Sequence, residues 1–198
     1  TEIGLCRAID RWLIEQRGIS LALKAIGIVS GGGNELVNRC RLLANGGFQV
    51  ILFCDSDEKV TNDHKLELKE LGVEIVDFSP GEAIEDAMFA SLPTSGVKKL
   101  LMIARDYRME EKGLDLVAAR NSIWDSVTTK FVGDCPDRFD ANTDSAELRI
   151  AIANAAKSKS SPWFKKINRG ESIGSVCLEY KNQIAGTSFD LALNNLIE

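Results

Sequence analysis

Apolar and polar residues follow one another along the first half of the chain in a pattern that predicts helices and strands in turn. Apolar positions at a spacing of three to four residues indicate amphipathic helices, and short continuous apolar runs indicate buried strands. Strands that alternate with helices are typical of an open parallel sheet. The pattern predicts helices over 3–17, 34–45, 61–71 and 82–91, and strands over 24–29, 48–54 and 73–78.

The pattern changes after about residue 95, where only helical spacing is found. Glycine, proline, aspartate and serine residues interrupt the helical segments. We therefore predict an α/β domain over 1–94 and a helical subdomain over 95–198. The segments predicted as helices in the second part are 95–107, 113–131, 144–157 and 170–182.

Composition and charge narrow the possible functions. No apolar run approaches the roughly 20 residues that cross a bilayer, so we expect no membrane association. A net charge of −5 argues against a protein that coats DNA nonspecifically, but leaves open DNA binding through metal ions and a local basic patch. The five cysteines form no CxxC motif and there is one histidine, which gives no zinc-ligand set and favours a reduced cytoplasm.

Acidic residues follow two successive predicted strands. Asp55 and Asp57 come directly after the second strand, and Glu85 and Asp86 follow the third. Ligands of open parallel sheets bind at the carboxyl ends of the strands, and oxygen ligands without histidine or cysteine favour Mg²⁺ or Mn²⁺. Each cluster also has a structural explanation, because an aspartate in a loop can cap a helix and acids in a first turn complement the helix dipole.

Two further features have a functional and a structural interpretation. Lys165 and Lys166 follow two aromatic residues, so either lysine can reach a phosphate or remain a solvated charge beside a hydrophobic anchor. The glycines at 31–33 follow a predicted strand, which suggests a phosphate cradle or simply a tight turn. The chain has no Walker motif, so nucleotide binding by such a loop is unsupported.

Several segments, taken in order, resemble the TOPRIM nuclease domain of the overcoming-lysogenization-defect (OLD) family of ATP-dependent endonucleases. The resemblance runs roughly over 1–92 and again over 160–172. It implies a TOPRIM-like open parallel sheet flanked by helices, with a C-terminal helical subdomain, and DNA cleavage with two ions of Mg²⁺ or Mn²⁺. The segments that carry it are Thr1-Glu2, Ser30-Gly-Gly-Gly, Asp55-Ser-Asp57, 81–89 and 163–167.

The resemblance also implies roles for the matching residues. The lysine proposed to stabilise the transition state in the family is similar to Lys165, with Lys166 as the alternative. Glu2 matches a ligand on the first helix, and Glu85 matches the acid that completes the second metal position. The implied metal ligands are Glu2, Asp55, Asp57, Glu85 and, less closely matched, Asp86.

Members of this family join the nuclease domain to an N-terminal ABC-type ATPase domain, and several act against phage. For this chain the resemblance implies DNA as substrate, ATP used only by a domain outside the chain, homo-oligomers formed through that domain, and a cytoplasmic location. The family's first strand and its glutamate would precede Thr1. We therefore expect this chain alone to be an incomplete endonuclease that binds metal poorly.

Two other functions share parts of the pattern. A degenerate TOPRIM domain that only assembles its partner can retain the same acids. A haloacid-dehalogenase-like phosphatase also has Asp-x-Asp after a buried strand, but Lys59 stands where that group usually has Thr or Val. A receiver-like module is not matched, because neither its phosphoacceptor aspartate nor its final lysine is found at the expected strands.

Overall fold

A computed structural model describes residues 1–56 and 60–197 as a mostly helical protein (61%) with a two-stranded parallel sheet. Asp57 lies outside the described residues. No helix among those described is long and apolar enough to cross a membrane. The elements are α1 (Glu2–Arg17), α2 (Leu36–Asn45), β1 (Ile51–Phe53), α3 (Asn62–Glu70), β2 (Glu74–Val76), α4 (Ile84–Ser91), α5 (Thr94–Lys112), α6 (Leu116–Thr128), α7 (Ala146–Ala156), α8 (Ile167–Glu179) and α9 (Ser188–Ile197).

The sheet consists of β1 and β2, which run parallel with Leu52 opposite Ile75. Helix α3 connects the two strands, as parallel strands require a crossover. This βαβ unit confirms the α/β character predicted from the alternating pattern. The sheet is nevertheless smaller than predicted, because β1 and β2 are its only strands in the described part of the chain.

The strand predicted over 24–29 is wrong. The chain there leaves a 3₁₀ turn (Ala22–Lys24), and Ala25 has the left-handed backbone angle φ 57°. Because this conformation interrupts an extended backbone and no described strand pairs with the segment, its apolar side chains stay in solvent. Ile26 is 46% exposed and Val29 64%.

Helix α9 was not predicted, although the chain carries a signal for it. Phe189, Leu193 and Ile197 recur every four residues and are all buried. They pack in the larger of two hydrophobic cores, which includes α1, α4 and the helices from α5 to α9. Helices from both sides of residue 94 share this core. The predicted domain boundary at that residue stays a prediction.

The smaller core lies between the sheet and the helices α2 and α3. Leu52 of β1 and Leu68 of α3 are almost completely buried there, together with Val37 of α2. This core fixes the end of β1, and therefore the start of the loop that contains Asp55.

Helices α1 and α8 pack at unusually short distance through glycines. A Cβ atom at Gly4 would overlap the carbonyl oxygen of Ile167, and one at Gly170 would overlap the carbonyl oxygen of Thr1. The hydroxyl of Thr1 donates a hydrogen bond to the carbonyl of Phe164 (3.1 Å). The start of α1, with Glu2, is thereby held against the segment that precedes α8.

Candidate functional site

The loops that follow β1 and β2 are bonded to each other. Ser56 donates hydrogen bonds from its hydroxyl to the carbonyl of Phe78 (2.5 Å) and from its backbone N–H to the carbonyl of Glu82 (3.0 Å). Its own carbonyl accepts from the N–H of Gly81 (3.1 Å). The two strand ends therefore place Asp55 beside the start of α4.

The carboxylate of Asp55 lies at the N-terminus of α4. Its Oδ1 accepts a hydrogen bond from the backbone N–H of Ile84 (2.7 Å), where the helix dipole favours a negative charge. The neighbouring thiol of Cys54 is buried, and burial, with a smaller contribution from Asp77, raises its pKa to about 12. This thiol is therefore protonated at neutral pH and unsuited to act as a nucleophile.

Glu85, in the first turn of α4, is a buried acid with 7% of its surface exposed. Burial is the main cause that raises the pKa of Glu85 to about 7, and the negative charges of Asp55 and Glu2 raise it further. Glu85 makes no ion pair with any residue that the structure describes. Its ionised form is thus costly unless a positive charge joins it.

Glu2 brings a third carboxylate to this place from the start of the chain. It forms an ion pair with the terminal amino group of Thr1 (3.2 Å), and its side chain is 39% exposed. The negative charges of Glu2 and Asp55 both raise the pKa of Glu85, whereas the amino group of Thr1 lowers it, so all three groups lie close enough to Glu85 to influence it. The three acids come from α1, the loop after β1, and α4.

Asp86 is directed elsewhere. Its Oδ2 accepts from the backbone N–H of Ala83 (2.9 Å), and Lys157 Nζ lies 2.6 Å from each of its oxygens. These contacts match the structural interpretation of the acidic first turn, in which an acid stabilises the start of a helix. Lys157, which the sequence reasoning did not identify, lies 71 positions further along the chain.

The two candidate lysines differ in their surroundings. Lys165 is exposed and forms no ion pair within 1–56 and 60–197. Lys166 pairs with Glu111 (2.5 Å), which also contacts Arg169. Lys165 directly follows Phe164, whose carbonyl accepts the hydrogen bond from the Thr1 hydroxyl at the start of α1.

The described residues do not form a closed metal-ligand set. Among them, no three His, Cys, Asp or Glu side chains are arranged to hold a metal ion. The glycines at 31–33 lead into a short 3₁₀ turn that begins at Gly33, and Gly32 and Gly33 have φ of 74° and 63°, as in a tight turn. Comparisons with protein-family models, with curated proteins and with solved structures find no match. Function must therefore be argued from these residues and their geometry.

Proposed function

We propose that the protein is a metal-dependent DNA endonuclease domain with a TOPRIM-like fold. The observation that carries this proposal is the buried Glu85, which forms no ion pair with a described residue and whose pKa is raised by the charges of Glu2 and Asp55 from distant parts of the chain. A buried acid that neighbouring acids repel is expected where a cation binds, because the cation removes the repulsion.

The residues fit divalent cations by their chemistry. Carboxylate oxygens are hard ligands that suit Mg²⁺ or Mn²⁺. Since Glu2, Asp55 and Glu85 do not form one closed ligand set, we assign them as ligands divided between two ions, and the sequence offers Asp57 two positions after Asp55. Asp86 is assigned instead to the stabilisation of α4, because Lys157 and the N–H of Ala83 engage its oxygens.

Divalent ions, when bound, supply positive charge that acidifies water and stabilises a phosphodiester as negative charge builds up on it. The chain's own residues hold and orient these charges. A carboxyl group with a pKa of about 7, such as that of Glu85, exchanges its proton for a cation at neutral pH. The exposed ammonium group of Lys165 provides a further positive charge for the phosphate.

In this proposal the chain acts within a larger protein. By its resemblance to the OLD family, an ABC-type ATPase domain outside this chain would hydrolyse ATP, form homo-oligomers and control DNA cleavage. The protein would then act in the cytoplasm, in defence against phage. These elements of the proposal rest on the sequence resemblance alone.

A second candidate function is a non-catalytic assembly module. It is favoured by the structural contacts of two of the acids: Asp55 caps α4, and Asp86 pairs with Lys157. In such a module the acids would be kept for folding only. The two candidates differ in whether the protein cuts DNA.

Plasmid nicking in Mn²⁺ and in EDTA tests the proposal, with Asp55→Asn as the variant, in a protein extended upstream by the strand and the glutamate that the resemblance places before Thr1. Asp137→Asn is the matched control, because it removes one exposed carboxylate in the loop before α7. We expect nicking that requires Mn²⁺, is lost in Asp55→Asn and is kept in Asp137→Asn. A folded protein that does not nick, or an Asp55→Asn variant that nicks at the normal rate, would contradict the proposal and favour the assembly module.

A further inference from the structure

A recess on the helical side of the protein contains a buried cation. The recess is a wide, solvent-open depression of about 630 Å³ between α5, α6 and the segment before α8. Most of the side chains around it carry hydrogen-bond donors, and one carries a carboxylate. Those used below are Arg108, Lys112, Asn121, Ser122, Asp125 and Ser161.

Arg108 is the unusual member of this set. Only 6% of its surface is exposed, and its guanidinium group donates hydrogen bonds to the hydroxyl and to the carbonyl (3.2 Å) of Ser161. In the described part of the chain no carboxylate forms an ion pair with it, including Asp125, which also lines the recess. Burial is the main cause that lowers the pKa of Arg108; the positive charge of Arg169 lowers it further, and the negative charge of Glu111 offsets part of this.

A buried guanidinium without a carboxylate partner is unfavourable, and an anion in the recess would compensate it. Arginine has five N–H donors, so the two bonds to Ser161 leave donors for a ligand. Lys112 adds an exposed ammonium group, and Ser122 and Asn121 add polar groups. This combination of guanidinium, ammonium and hydroxyl groups suits a phosphate.

The recess is joined to the carboxylates by one basic segment, residues 157–166. This basic segment has four lysines, three serines and no acid, in a chain of net charge −5. Its Lys157 contacts Asp86, its Ser161 contacts Arg108, and its Phe164 contacts Thr1. A polyanion that follows the basic segment would therefore pass both the recess and the three acids.

We propose that this recess binds a backbone phosphate of the DNA strand, away from the phosphate that is cut. The inference rests on the proposed function, since that function supplies DNA as the ligand. Phosphate contacts by arginine, lysine and serine fix the register of a strand without reading its sequence. Arg108 would thus position DNA, while Glu2, Asp55 and Glu85 serve the reaction.

The test measures the affinity of the protein for a fluorescein-labelled DNA oligonucleotide in EDTA. Fluorescence anisotropy gives this affinity at several salt concentrations. The variants are Arg108→Gln and Lys112→Ser, and the control is Lys98→Ser. Lys98 is exposed on the same helix, about 15 Å from Arg108 at 1.5 Å per residue. Each recess variant should weaken binding about tenfold and lower the salt slope by about one, whereas Lys98→Ser should change neither.

Thermal melting of each variant shows whether it is folded, and Lys112→Ser removes an exposed side chain, so it tests the recess even if Arg108→Gln unfolds. Recess variants that bind DNA as tightly as Lys98→Ser would overturn the inference, and so would a folded wild-type protein that binds no DNA. Nicking in Mn²⁺ is measured separately on the same proteins. If the protein nicks DNA but the recess variants bind DNA normally, the proposed phosphate site is wrong and the nuclease proposal stands. If DNA binding depends on the recess but the protein does not nick, the nuclease proposal is wrong and the phosphate site stands.

Discussion

Replacement of Glu85 by glutamine should stabilise the protein, and more so as the pH rises. Glutamine has the shape of the protonated acid but cannot ionise, so it removes the cost of a buried charge. In the folded protein, burial first and then the charges of Asp55 and Glu2 raise the pKa of Glu85 to about 7 from its ordinary value of 4.5. Between pH 4.5 and pH 7, Glu85 therefore keeps its proton in the folded protein and has lost it in the unfolded chain.

The size and sign of the effect follow from this difference in proton binding. Between about pH 4.5 and pH 7 the unfolded chain binds fewer protons, so the free energy of unfolding falls as the pH rises, and it levels off above pH 7. A pKa that moves from 4.5 to about 7 corresponds to about 3 kcal/mol, at about 1.4 kcal/mol for each pH unit. Relative to the wild type, Glu85→Gln should gain about 1 kcal/mol at pH 5 and about 3 kcal/mol at pH 8.

Urea unfolding followed by tryptophan fluorescence measures this difference at pH 5 and pH 8. Glu110→Gln, at an exposed position of α5, is the control for removal of one negative charge. Mn²⁺ at pH 8 should stabilise the wild type more than Glu85→Gln, since the ion compensates the charge that the variant lacks. A stability difference between Glu85→Gln and the wild type that does not change with pH would refute the reasoning, as would a variant less stable than the wild type at pH 8.

Three other substitutions test the packing and the role of Lys165. Gly4→Ala should lower the free energy of unfolding in urea by about 1–3 kcal/mol, because the added methyl group overlaps a backbone oxygen of α8. The control Gly27→Ala has open space around the added methyl group and should leave the free energy of unfolding nearly unchanged. Arg149→Met should cost about 3 kcal/mol, since it removes the ion-pair partner (2.6 Å) of the largely buried Asp144, which keeps its hydrogen bond from the Thr94 hydroxyl, and frees carbonyl groups at the end of α4. An unchanged melting temperature would show that this contact carries no stability. Lys165→Ala should slow DNA nicking while Mn²⁺ affinity is kept, and an unchanged rate would move the role to another cation.

Local patterns predicted most of the helices and both strands of the sheet. Helical spacing over 3–17 gave α1 to within a residue, and the apolar runs before Asp55 and before 79–82 contain β1 and β2. The run at 24–29 has the same apolar character but is not a strand. A strand needs a pairing partner as well as a composition, and composition cannot supply one.

The candidate site was predictable only in part. Acids after parallel strands are expected near one another, and the hydrogen bond between Ser56 and Glu82 does join the two loops. The different surroundings of the adjacent residues Glu85 and Asp86 were not predictable. Their separation depends on which side of α4 faces the core and on Lys157, which is distant in sequence.

The buried arginine was missed for the same reason. Arg108 lies in a helix with several other charged residues, and nothing in that local pattern distinguishes it. Its partner Ser161 is 53 positions away along the chain. The stretch of lysines and serines at 157–161 was the available signal, and it becomes informative only once the fold places it beside Arg108.

Isothermal titration with Mn²⁺ of the protein extended upstream by the strand and the glutamate that the resemblance implies tests most directly whether Asp55 and Glu85 bind divalent cations. The titrations compare the wild type with Asp55→Asn, Glu85→Gln and the control Asp137→Asn, in two buffers of different ionisation enthalpy. The account predicts saturable binding that releases a proton near pH 6.5, because Glu85 is then largely protonated, and at least tenfold weaker binding in the two site variants. Absence of saturable binding by the folded protein, or equal affinity in all four proteins, would contradict the account.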